Sequence, residues 1–109
     1  MQHYGKTYHH ADHIFSLGDT THNLYYLVRG QVKLQLHKEV IRTVEAGEYF
    51  GEIALLSNTP TIGDAVVSSD HADIVLISAE NIETLLLDEP KVALRFLRQM
   101  ATKLQKRDH

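Results

Sequence analysis

The chain has 109 residues, 43% of them hydrophobic and 23% charged, which is the balance of an ordinary globular protein and suits one domain spanning 1–109. Its formal net charge of −3 offers no basic field to nucleic acid or to an anionic membrane, and the absence of cysteine excludes disulfides and thiolate metal sites. No apolar run approaches the roughly 20 residues of a membrane span, and the opening MQHYGKTYHHADH lacks the apolar stretch of a signal peptide, so a cytoplasmic location is expected.

From Tyr4 to Ser78 the chain reads as short strands separated by turns. Lys6-Thr7-Tyr8 is a first strand, and His13 to Leu17 a second that Gly18-Asp19 ends. Leu24 to Arg29 is rich in β-formers and is broken by Gly30. Gln31 to Leu36 then alternates polar and apolar residues, which predicts a strand with Val32, Leu34 and Leu36 facing inward. His37-Lys38-Glu39 connects it tightly to Val40–Val44, a predicted hairpin. Glu45 to Glu48 turns the chain into Tyr49-Phe50, and Asp64–Ser68 and Ala72–Ser78 follow as two further strands. About eight short strands predict a closed or double-sheet antiparallel structure.

Two helices come next. Ser78 can cap one from Ala79 to Leu87, and Asp88 or Glu89 can cap a second that begins near Pro90. In the second, Ala93, Leu97, Met100 and Leu104 form an apolar stripe that Arg95, Arg98, Lys103 and Lys106 avoid. The stripe suits core or dimer packing, with closure over a ligand as an added role.

The stretch from Gly47 to Val66, GEYFGEIALLSNTPTIGDAV, is the chemically informative one. Gly51 has no Cβ and can bring bare backbone close to a ligand. The good helix formers after it predict a short helical turn whose first N–H groups lack partners within the helix and attract an anion, above all a phosphate. Glu52 supplies a hydrogen-bond acceptor beside them, which a phosphate alone does not require. Together they point to a ligand carrying a phosphate and hydroxyls, such as a nucleotide. The plainer readings are that Glu52 satisfies its own helix start and that Gly51 only permits a tight turn.

Phe50-Gly51-Glu52-Ile53-Ala54-Leu55-Leu56 followed by Pro60 resembles the phosphate-binding cassette of cyclic nucleotide-binding domains, usually F-G-E-(L/I)-A-L, a few variable residues, then P-R-(A/S/T)-A. Leu17-Gly18-Asp19, Tyr25 and Val28-Arg29-Gly30-Gln31-Val32 are similar to the family pattern ahead of the cassette, so the resemblance covers Tyr8 to Lys106. It implies a mainly β chain with C-terminal helices: an antiparallel jelly-roll-like β-roll of about 6–78, then a hinge helix and an amphipathic lid helix over about 79–106. It also implies ligand contacts from the backbone of Gly51, Glu52, Ile53 and Ala54 to the phosphate, from Glu52 to the ribose 2′-hydroxyl, and from the positions of Thr61 and Ile62.

The second half of the cassette departs from the family. The usual arginine is Thr61, and the usual small pair is Ile62-Gly63. A hydroxyl in place of a guanidinium exchanges a contact of roughly 1.5–3 kcal/mol for one of about 0.5–1.5, so cyclic nucleotide affinity is expected to fall roughly tenfold. Glu52 is then expected to lack a compensating cation, and Asp64 to lie on the opposite face from Thr61 and Gly63 by strand alternation. Arg29 and Arg42 on the roll and Arg95 and Arg98 on the last helix are the basic residues that could substitute. Ile62 leaves cAMP and cGMP undistinguished, with a lean away from guanine.

Three function classes follow. The first is a cyclic nucleotide-sensing regulatory module whose last helix relays the change to an effector domain or protein, or pairs two chains as a homodimer. The second is a degenerate roll of the same fold that serves as an interaction or dimerisation module. The third is a metal-dependent cupin-like enzyme, favoured only by histidines such as His9, His10 and His13, which lack the spaced carboxylate and H-x-H pattern of such a site. No nucleophile–base arrangement is visible, so no catalytic residue, metal or cofactor is assigned.

Overall fold

The structure is a computed structural model that describes residues 4–57, 59–88, 90, 91, 94, 95 and 98. Eight strands form two four-stranded antiparallel sheets. The first has the order β1 (Tyr4–His9), β8 (His71–Ser78), β3 (Asn23–Arg29), β6 (Tyr49–Phe50). The second has the order β2 (His13–Phe15), β7 (Asp64–Val67), β4 (Gln31–Leu36), β5 (Glu39–Glu45). Helix α1 (Glu52–Ser57) interrupts the strands after β6, and α2 (Ala79–Asp88) follows β8. The chain is thus mainly β with helices at its C-terminal end, a double-sheet roll of jelly-roll type.

The strands form where the alternation predicts them, because the sheets bury one face against each other. Leu27, Val32, Val44, Phe50, Val67 and Ile74 are fully buried between the sheets. The β4–β5 hairpin pairs Val32 with Val44 and Leu34 with Arg42. His37 and Lys38 at its tip both have positive φ, the geometry of a two-residue connection that matches the twist of its strands. One inward expectation fails: Leu36 is exposed, because the register shifts after Leu34 and the strand leaves the sandwich there. The second strand also ends earlier than predicted, at Phe15, because Ser16 to Asp19 folds into a loop held by side chains. The last strand begins one residue before the predicted Ala72, at His71.

Ser78 caps α2 as expected, its hydroxyl accepting from the Asn81 N–H at 3.3 Å. Pro90, Lys91, Leu94, Arg95 and Arg98 are helical, as the second helix predicts. Its apolar stripe of Ala93, Leu97, Met100 and Leu104, and its basic Lys103 and Lys106, lie outside the described residues. Among the described residues no helix is long and apolar enough to cross a membrane.

Candidate functional site

The cassette is anchored by its aromatic floor. Phe50, wholly buried, stacks on Tyr25 of β3 with ring centroids 5.1 Å apart, and Phe15 lies 5.5 Å from Tyr25. This burial of three rings fixes where β6 ends, and hence where the next residue stands. Gly51 there takes φ +80°, and a Cβ on it would come within 2.7 Å of the Tyr25 ring. Both the dihedral and the ring demand glycine. The left-handed residue swings the chain abruptly into α1, so that Glu52, Ile53 and Ala54 form its first turn.

Glu52 and Ala54 are both buried, and Glu52 is only 3% exposed. The backbone of Ile53 is helical, while its side chain lies outside the described residues. The expectation that Glu52 lacks a cation is corrected by the fold. Arg42, on the edge strand β5, places Nη1 3.9 Å from Glu52 Oε1 and Nη2 3.8 Å from Glu48 Oε2. Its Nη2 also donates to the Tyr49 carbonyl at 3.1 Å. One guanidinium thus ties the edge of the second sheet to the strand entering the cassette. The signal for this was confined to Arg42's place on a roll strand, because only the packing of the two sheets brings positions 42 and 52 together.

Tyr49, beside this cluster, has its phenol pushed above its usual 10.0, first by burial and then by the neighbouring Tyr26, whose ring centroid is 4.9 Å away. Arg95 acts in the opposite direction, which brings that residue of the C-terminal helical stretch within electrostatic reach of the cassette entrance.

The second half of the cassette turns elsewhere. Thr61 is 5% exposed, and its hydroxyl donates to the Ser16 carbonyl at 2.8 Å. Its own N–H donates to the Asp19 carbonyl, and its carbonyl accepts from Gly18 N–H, both at 2.9 Å. Asp64 Oδ1 accepts from Leu17 N–H at 2.7 Å, and Asp19 Oδ2 from Ser16 N–H at 2.9 Å. Thr61 and Asp64 therefore grip the two ends of the same Ser16–Leu17 peptide group. The predicted separation of Asp64 from Thr61 by strand alternation fails, since residues 61–63 are not a strand and the alternation begins only with β7. Ile62 is 61% exposed. Gly63 is required by close approach, since a Cβ there would overlap the Gln35 carbonyl oxygen.

The six residues named from the sequence thus separate into two groups. Gly51, Glu52, Ile53 and Ala54 form one turn beside Arg42, whereas Thr61 latches the 16–19 loop and Ile62 projects to the surface. Of the histidines, His10 Nδ1 lies 3.0 Å from the Ser69 carbonyl and His13 Nδ1 3.2 Å from Ser16 Oγ. Among the described residues no group of three or more histidines and carboxylates is arranged to hold a metal ion.

Residues 6–89 match the family model described as the cyclic nucleotide-binding domain. The chain belongs to this family. A curated relative, the cAMP-dependent protein kinase type II regulatory subunit of Drosophila melanogaster, is 24% identical over 85 residues, covering 74% of this chain and 22% of its own length. The catabolite activator protein of Thermus thermophilus superposes with a TM-score of 0.84 at 25% identity, over 97% of this chain and 52% of that one. The regulatory subunit of a cAMP-independent protein kinase A from Trypanosoma cruzi, bound to guanosine, shares the fold with a TM-score of 0.71 at 23% identity, covering 76% of this chain and 30% of that one. The chain thus spans about half or less of the length of these relatives.

Proposed function

We propose that this chain is a single non-catalytic regulatory domain that binds a ligand of the cyclic nucleotide class and passes the change to an effector through its C-terminal helical stretch. The ribose rests on Glu52, which accepts a hydrogen bond from the 2′-hydroxyl. A phosphate, where the ligand carries one, meets the backbone N–H groups of Gly51 to Ala54. The observation that carries the reading is the Gly51–Glu52 corner inside the matched family region. A left-handed glycine fitted against the Tyr25 ring delivers a buried carboxylate to the head of α1, where Arg42 holds it. A carboxylate fixed this way is a ready hydroxyl acceptor, because its rotamer entropy has already been spent on folding. The domain needs no cofactor or metal for this role.

Relatives named for cAMP dependence and one bound to guanosine support a purine ribonucleoside core as the shared ligand chemistry. A second reading, a roll that no longer takes a nucleotide and serves as an interaction or dimerisation module, is favoured by Thr61 and Ile62. The arginine position is internally bonded here, and its neighbour is exposed.

Isothermal calorimetry with cAMP, cGMP, adenosine and guanosine separates the two. Heat of binding that Glu52→Ala abolishes is the expected result, with circular dichroism showing that the variant is folded. No heat from any of the four at millimolar ligand favours the interaction module. Sedimentation analysis then asks whether two chains pair.

A further inference from the structure

We infer that the preferred ligand of this site is an uncharged ribonucleoside, held by its ribose and base, and that the site selects against the cyclic phosphate. The inference rests on the ribose–Glu52 contact proposed above and changes the ligand class, from cyclic nucleotides to their uncharged nucleosides.

Three observations carry it. The first is that the hydroxyl at the arginine position is already committed: Thr61 Oγ1 donates its proton to the Ser16 carbonyl at 2.8 Å. A hydroxyl has a single proton, so Thr61 cannot also donate to a phosphate without releasing the 16–19 loop. The second is that the guanidinium paired with Glu52 is shared between two carboxylates. Arg42 stands 3.8 Å from Glu48 and 3.9 Å from Glu52, and donates to the Tyr49 carbonyl as well. Turning it toward a phosphate would strip the buried Glu52 of its counter-charge, an exchange of one ion pair for another with no net gain.

The third is a property of the chain itself. Between Arg42 and Lys91 there is no lysine or arginine, and that interval holds ten of the fourteen carboxylates. It includes β6, α1, the loop through Thr61, and β7 and β8. At the corner itself Glu48 and Glu52 both face the one Arg42 guanidinium, so a neutral ligand meets less repulsion there than an anion does.

The chemistry of Glu52 points the same way. A 3′,5′-cyclic phosphate has its 3′-oxygen esterified and offers a carboxylate only the 2′-hydroxyl. A nucleoside offers the vicinal 2′- and 3′-hydroxyls, two donors to an acidic corner where the cyclic phosphate offers one. The acidic corner thus recognises the diol and not the ester.

Calorimetry on this chain tests the inference directly, with adenosine and guanosine each set against its own 3′,5′-cyclic phosphate. The expected result is that at least one nucleoside binds tenfold or more tightly than its cyclic phosphate, and that the 2′-deoxy and 3′-deoxy forms both bind more weakly. Cyclic phosphate binding as tight as the nucleoside, or tighter, overturns the inference and leaves the sensor reading in place. No heat from any of these ligands overturns both.

The double substitution Thr61→Arg with Ile62→Ala is expected to raise the affinity for the cyclic phosphate at least tenfold relative to the nucleoside. An unchanged ratio in a folded variant would show that charge at this position does not set the preference. Added salt is expected to narrow the gap between the two ligand types by screening.

Discussion

The two halves of one short motif behave as different kinds of structure. From Phe50 to Ala54 the chain is shaped from beneath: three packed rings set the end of β6, Tyr25 admits only glycine at 51, and Glu52 is buried against Arg42. From Pro60 to Gly63 it is shaped from the side, by hydrogen bonds to the loop at 16–19 and by the Gln35 carbonyl. The first half keeps a family-like presentation of backbone and carboxylate. The second has become a latch. The segment after Pro60 thus holds its shape without an arginine at position 61, because the threonine there is fixed by an internal hydrogen bond.

The comparison is broken most severely at Gly51. Gly51→Ala adds a methyl 2.7 Å from the Tyr25 ring at φ +80°. Left-handed strain plus overpacking is expected to cost about 3 kcal/mol. Thermal denaturation should then fall by roughly 10 °C or more. A melting temperature close to that of the unaltered chain would mean that the aromatic floor does not dictate the corner.

Arg42→Met is the next largest. It keeps an unbranched, largely apolar stem but removes the charge beside a carboxylate that is 3% exposed, and about 2 kcal/mol of stability should be lost. Glu52→Gln should recover part of the loss in the double variant. A double-mutant cycle with no coupling between positions 42 and 52 would remove Arg42 from the site.

On the latch side the effect is smaller. Thr61→Val removes the hydroxyl that serves the Ser16 carbonyl and should cost about 1 kcal/mol in denaturant unfolding. If the variant instead kept its stability and lost its ligand, Thr61 would belong with the first half.

The smallest effect is a pH dependence. Burial holds the Tyr49 phenol neutral in the folded chain beyond its usual 10.0. The unfolded chain then releases that proton first, so the contribution is complete below that pH and is lost as pH rises through the folded value. Tyr49→Phe should flatten the alkaline end of the stability profile. An unchanged slope would place the titrating group elsewhere.

Most of the roll was legible because its evidence is periodic. Gln31 to Leu36 alternates, the turns carry glycine and aspartate, and Ser78 precedes a helix former, each a local cause with a local result. Gly51 and Glu52 were legible for the same reason, since adjacent residues make one corner. Leu36 was misread because a bulge in the partner strand's register leaves no trace in the alternation of β4. Asp64 was misread because the strand was extended back over residues that are bends.

The sequence by itself determined the roll, the position of the corner and the absence of its usual arginine, all of which follow from residue type and spacing along the chain. Only the tertiary structure decided what the replacements do. Arg42 reaches Glu52 because an edge strand of one sheet packs beside the last strand of the other, and Thr61 meets Ser16 across 45 positions of chain. Neither contact has a periodic signature, because each joins segments whose closeness is set by the burial of other side chains.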